Sequence, residues 1–202
     1  MTASQTGVVA GRPRSRAAHE AILDAAIALT REVGFDALAM DAIATRAGVG
    51  KATVYRRWKT KESLIAEALE RLVRAVPVPD TGGVEDDLLT VMRGTMRMYQ
   101  DPATAALLSG LVAAMARSTT IATAVRSGFV AARRDAMTRV LERGIGRGEL
   151  ARDTNIELAL DLLSGPLLYR ALITGATIDG PMIGGVVGAV VRGFAPHRRS
   201  ER

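Results

Sequence analysis

Met40-Asp-Ala-Ile-Ala-Thr-Arg-Ala-Gly-Val-Gly-Lys-Ala-Thr-Val-Tyr-Arg-Arg-Trp-Lys-Thr-Lys61 is the stretch that decides the fold. Met40, Ile43, Ala44 and Ala47 recur at i, i+3, i+4 and i+7, the apolar stripe of a helix over 40–47. Gly48 follows, where a tight helix exit requires a left-handed backbone that glycine adopts without steric penalty. A second short helix is predicted over 51–58, with Val54 and Trp58 facing inward four residues apart and Val49 packing between the two helices. Two short helices joined by such a turn make a helix-turn-helix. The second helix leaves Lys51, Ala52, Thr53, Tyr55, Arg56 and Arg57 on its outer side. These are small residues that permit close approach, hydroxyls that donate to phosphate, and cations, and the free amides at the helix start also favour anions. The set points to double-stranded DNA as a partner.

Outward from this stretch the pattern stays helical. A helix over 16–33 presents Ile22, Ala26, Leu29 and Val33 on one face and is closed by Gly34, with Phe35 behind it. Thr60 is an N-cap for a helix whose inner face is Leu64, Ile65, Ala68, Leu69 and Leu72. Pro77-Val-Pro-Asp-Thr-Gly-Gly83 reads as a linker. Helices are predicted over 84–100, 102–116, 119–147, 155–174 and 181–192. Asp101-Pro102, a Thr154-x-x-Glu157 capping box and Asp179-Gly180-Pro181 open three of them. Pro166 should kink the helix over 155–174. The expected fold is all-α, about nine helices. It comprises a basic arm (1–14), a helix-turn-helix domain with its connecting helix (15–76), a linker (77–83), a second helical domain (84–195) and a tail (196–202).

The 202 residues are 48% hydrophobic and 24% charged, enough for a sizeable core. Aromatics are 3%, so that core is built from Ala, Leu, Val, Ile and Met, which suits helix-on-helix packing. The net charge is +6, with +4 falling in residues 1–76, and all three lysines (Lys51, Lys59, Lys61) lie in the opening stretch. This favours a polyanionic partner at that place. Cysteine is absent, which excludes disulfides and thiolate chemistry. The two histidines, His19 and His197, stand apart from any metal-ligand cluster, and no serine sits in a nucleophile elbow. Gly144-Ile-Gly-Arg-Gly148 mimics a phosphate loop but follows a helix where a strand is needed. Catalytic residues, a metal and a cofactor are therefore not expected. The N-terminus lacks an apolar signal region, and the apolar runs at 156–173 and 183–191 are interrupted by charge or too short to span a bilayer. A cytoplasmic, nucleoid-associated protein is expected, with no membrane partner.

The chain resembles the TetR family of bacterial regulators over about 22–69. The residues that carry the resemblance are Gly34-Phe35, Met40-Asp-Ala-Ile-Ala44, Ala47-Gly48-Val49, Thr53-Val-Tyr55, Trp58-Lys59 and Lys61-Glu-Ser-Leu64. Glu157-Leu-Ala-Leu-Asp-Leu-Leu-Ser-Gly-Pro-Leu-Leu-Tyr169 is similar to that family's ligand domain. The resemblance implies a dimeric repressor on a palindromic operator, released by a small effector. It implies phosphate contacts for Thr53, Tyr55 and Lys61, base-edge contacts for Lys51 and Ala52, and a backbone contact for Arg46, with Arg56 and Arg57 extending the set. Ala39 and Gly50 depart from the family, which has hydroxyl residues at those places, so a cap and a phosphate contact are missing at each.

It further implies a pocket within the second domain and a dimer bundle from the last two helices. Candidate pocket residues are Met92, Met96, Tyr99, Leu107, Leu111, Met115, Phe129, Leu163 and Tyr169, with Arg97, Arg170 and Asp161 as polar anchors. Methionine-rich lining suits an uncharged or weakly polar, hydrophobic effector. Candidate interface residues are Leu162, Gly165, Ile183, Gly184, Val187, Gly188 and Val191. Glycines inside an apolar helix are intrinsically unfavourable, and close approach of a second helix compensates.

Overall fold

A computed structural model describes residues 12–74 and 77–196, and among these every element is helical. In chain order they are α1 (Arg12–Ala37), α2 (Met40–Arg46), α3 (Lys51–Arg57), α4 (Lys61–Arg74), α5 (Val84–Gln100), α6 (Pro102–Arg117), α7 (Thr119–Val125), α8 (Ala131–Gly146), α9 (Ile156–Tyr169) and α10 (Gly180–Gly193). Arg126–Val130 and Arg170–Thr174 are wound as π-helix. The first joins α7 to α8, so the single helix expected over 119–147 is one rod with a wider turn in it. The second extends α9 past Pro166, close to the expected kink. Of the arm expected over 1–14, residues 1–11 lie outside the described residues, and the backbone of 12–14 already belongs to α1. The tail from 197 onward also lies outside.

Local chemistry explains most of the boundaries. Gly34 takes φ 80°, ψ 164° and breaks the path of α1, and the turn beyond it carries Phe35 and Leu38 into the core. Val33, expected inward, is half exposed because it precedes that break. Asp101 caps α6 by accepting from the Thr104 N–H, Ser118 caps α7, and Asp179 caps α10 by accepting from the Met182 N–H. At α9 the expected Thr154/Glu157 box is not formed. Asn155 Oδ1 accepts from the Leu158 N–H instead, Thr154 donates to the Ala151 carbonyl, and Glu157 pairs with Arg134.

Two hydrophobic cores organise the chain. One unites α1–α4 with α6, α7 and Phe129, and the other unites α5, α8, α9 and α10. Tyr99 packs against both. The head is tied internally by Arg71 of α4, which pairs with Glu20 and Asp24 of α1. α6 lies so close to α1 that a Cβ on Gly110 would stand 2.5 Å from Phe35 Cδ1. The linker is held by the buried Asp87 carboxylate, which accepts from the Thr81 N–H and hydroxyl and pairs with Arg143. Burial would raise the Asp87 carboxyl, but these hydrogen bonds and the guanidinium outweigh it and hold the group below its ordinary value. No helix among the described residues is long and apolar enough to cross a membrane.

Candidate nucleic-acid interface and effector cavity

The turn between α2 and α3 closes as its residues require. Gly48 has φ +65°, and the Gly48 and Val49 N–H groups donate to Thr45 and Ala44 carbonyls at 3.1 and 3.0 Å. Val49 is half-buried against the head core, and Val54 and Trp58 are buried in it. Trp58 Nε1 donates to Glu67 Oε2 at 2.6 Å, and its ring stacks on His19. It is a core residue and offers no face to a base. Neither Ala39 nor Gly50 makes a side-chain cap.

The outer face of α3 assembles the expected residues. Lys51, Ala52, Tyr55, Arg56 and Arg57 are exposed and Thr53 is half-buried, with Gly50 exposed at the helix start. Their partners were not foreseen. Asp41, in the first turn of α2, accepts from Lys51 Nζ and, at 3.4 Å, from the Tyr55 hydroxyl. The Asp41 hydrogen bond and charge hold the Lys51 ammonium above its ordinary value. Arg46 pairs with Glu32 of α1 at 2.6 Å, and Arg57 donates to Ser15 Oγ at 2.7 Å. Arg56 has no side-chain partner among the described residues. Lys61 stands differently from the phosphate clamp implied by resemblance. Its ammonium donates to the Phe35 and Asp36 carbonyls at 2.8 and 2.9 Å and lies over the Phe35 ring. It therefore closes the end of α1, with one donor left for another acceptor.

A cavity of about 410 Å³ opens where the two cores meet. Its wall takes Ile27, Thr30 and Arg31 from α1, Leu69, Leu72 and Val73 from α4, and Pro77, Val78 and Pro79 from the linker. From the body come Val91, Thr95 and Arg97 of α5, Leu107 of α6, and Arg133 and Met137 of α8. Of the nine pocket candidates only Leu107 lines it. Met92, Met96 and Leu163 belong to the second core, Leu111, Met115 and Phe129 to the first, and Tyr99 to both. Tyr169 is 59% exposed on α9. Of the proposed anchors Arg97 lines the cavity, Asp161 pairs with Arg134, and Arg170 donates to the Thr177 carbonyl. The cavity departs from expectation because helical spacing reports which residues face inward, whereas this space arises where α1 and α4 diverge from α5 and α8.

The interface candidates also separate. Leu162 and Gly165 are exposed on α9, as are Leu158, Leu168 and Tyr169, and Leu172 is exposed on the π-helical turn that follows. On α10, Gly184 is exposed with open space at its Cβ position, but Ile183 and Val187 are fully buried within the subunit and Gly188 is covered by Arg192. Val191 is half-buried against the second core. The buried members face their own chain because α10 packs on α5 and α9.

The profile described as bacterial regulatory proteins, tetR family, matches residues 22–68, and that of the tetracyclin repressor-like C-terminal domain matches residues 78–190. The chain is 38% identical over 170 residues to the uncharacterized HTH-type transcriptional regulator YdeS of Bacillus subtilis, covering 84% of this chain and 85% of that one. It is 32% identical over 186 residues to the DNA-binding transcriptional repressor TetR of Mycobacteroides abscessus, covering 91% and 95%. A crystal structure of a TetR family transcription regulator superposes with a TM-score of 0.81 at 26% identity, covering 89% of this chain and 99% of that one.

Proposed function

From the premise that this chain belongs to the TetR family of bacterial transcriptional regulators, we propose that it is a dimeric repressor, released from a palindromic operator when a small, largely apolar effector fills the cavity. It acts by binding and not by catalysis. The observation that carries this reading is the position of the cavity. Its wall is shared by α1 and α4, which hold the helix-turn-helix, and by α5, α6 and α8 of the body. An occupant there touches both units at once.

In this mechanism each subunit lays α3 into a major groove, with Lys51 and Ala52 at base edges and Thr53, Tyr55 and Arg56 on phosphates. Filling the cavity moves α4 against α1 and alters the spacing of the two heads, and the effector must bind the released arrangement better. The second subunit packs on the exposed apolar stripe of α9, Leu158, Leu162, Gly165 and Tyr169, with Gly184 and Gly185 of α10 permitting close approach. The test is a footprint of the full-length protein on the DNA flanking its own gene, followed by anisotropy titrations at several salt concentrations. A protected inverted repeat with steep salt dependence is expected. Equal affinity for all duplexes would refute it.

A further inference from the structure

Arg133 breaks the pattern of its helix. It lies between Phe129 and Met137 at four-residue spacing, on the face that otherwise enters the cores. Its neighbours on α8 have carboxylate partners: Arg134 has Glu157 and Asp161, Arg139 has Asp135, and Arg143 has Asp87. Among the described residues Arg133 has none. Its Nη2 donates to the Thr95 hydroxyl at 2.8 Å, and its guanidinium stands 5.8 Å from the Phe129 ring centroid. Both Arg133 and Thr95 line the cavity. Burial pushes the guanidinium down from its ordinary value, against the pull of nearby Tyr99. Arginine nevertheless stays charged at neutral pH, so the cavity wall carries a half-buried cation that has no carboxylate partner among the described residues. Such a group is unfavourable unless something supplies the anion.

We propose that the cavity takes an amphiphilic monoanion, a carboxylate on an apolar body. The carboxylate binds Arg133 as a planar, charge-assisted pair with the Thr95 hydroxyl beside it. The apolar part lies along Ile27, Leu69, Leu107 and Met137. The space falls within the range of roughly 300–1,000 Å³ that holds drug-sized ligands. A phosphate dianion would need a second deep cation, and the other basic residues of the wall, Arg31 and Arg97, are exposed. This inference rests on the reading of the cavity as the effector site and replaces the uncharged effector expected from sequence.

The test titrates decanoate, methyl decanoate and 1-decanol into the full-length protein and its Arg133→Gln and Arg133→Lys variants by calorimetry, with operator anisotropy recorded separately. The wild type should bind decanoate at least about tenfold tighter than the ester or the alcohol. Arg133→Gln should lose that preference while keeping its affinity for the ester, and Arg133→Lys should keep part of it. Without ligand, Arg133→Gln should melt at or above the wild-type temperature, because a half-buried charge with no carboxylate partner is removed. Equal binding of decanoate and ester, a preference that survives in Arg133→Gln, or no binding of decanoate overturns the proposal. Operator release by the ester alone would leave the effector reading standing while this inference fails. Arg133-dependent decanoate binding without operator release would do the reverse.

Discussion

Asp41 sets how much of the α3 face would be available to DNA in the proposed complex. Its carboxylate holds Lys51 and reaches the Tyr55 hydroxyl, so in the proposed complex both exchange an intramolecular partner for a phosphate or a base edge. An exposed pair of this kind is weak, and phosphate competes for the same donors. Asp41→Asn is expected to raise affinity for all duplexes by roughly two- to fivefold and to increase the salt dependence, measured by anisotropy. Lys51→Ala should lower operator affinity about tenfold and narrow the gap between operator and random DNA. A second carboxylate acts on stability. Asp87 is held ionised below its ordinary value, so the stability it contributes is complete above about pH 4 and is lost as pH falls through its folded value. Asp87→Asn should cost about 1–3 kcal/mol near pH 7, or roughly 2–4 °C in Tm for each kcal/mol. The gap to wild type should narrow as the pH falls below about 4 and through the folded value, and thermal melts along a descending pH series check the sign. Neither carboxylate could be singled out from sequence. Each matters through partners brought to it by the fold, Asp41 across a turn and Asp87 across 56 residues from Arg143.

Between elements, α6 approaches α1 closely at Gly110. Gly110 lies mid-helix, where alanine normally gains about 1 kcal/mol. Its Cβ would meet the Phe35 ring at 2.5 Å, and that ring is already fixed by burial and by Lys61. Overpacking costs about 1–3 kcal/mol, so Gly110→Ala should destabilise despite its propensity. Gly94→Ala, whose new methyl meets only Arg97 Nη2 at 3.8 Å, should stabilise by about 0.5–1 kcal/mol. Denaturant midpoints moving in opposite directions for these two glycines would confirm the contact. The elements themselves were largely legible. The stripe of α2, the Gly48 turn, the inward Val54 and Trp58 and the caps at Asp101 and Asp179 follow from local chemistry, and local chemistry is what a sequence displays. Arg133 was not singled out from sequence: it is a charge at an apolar position of α8, and its meaning depends on a cavity that no single helix contains. Ile183 and Val187 show the converse limit. An all-apolar helix announces burial, and only packing tells which side meets its own subunit.

At the scale of the whole molecule, the proposed mechanism lets the cavity between the two cores act on DNA only if two heads are held at a fixed separation. On that proposal the subunit contact is part of the switch. The stripe that α9 leaves exposed, Leu158, Leu162, Gly165 and Tyr169, follows i, i+4, i+7 and i+11, the spacing of a helix seam against another helix. Leu162 is 45% exposed, so a charge placed there is solvated in an isolated subunit and does not disturb its core. In a bundle the same charge would be buried without a partner. Leu162→Glu should therefore weaken dimerisation at least roughly thirtyfold while leaving the helical circular dichroism spectrum unchanged. Operator affinity should fall far more than affinity for a single half-site, because the two heads no longer bind as one body. Sedimentation equilibrium gives the first quantity, and anisotropy on whole and half operators gives the second. If Leu162→Glu remained dimeric and bound the palindrome as before, the α9 stripe would not be the subunit contact, and the coupling of cavity to DNA would have to run through a different assembly.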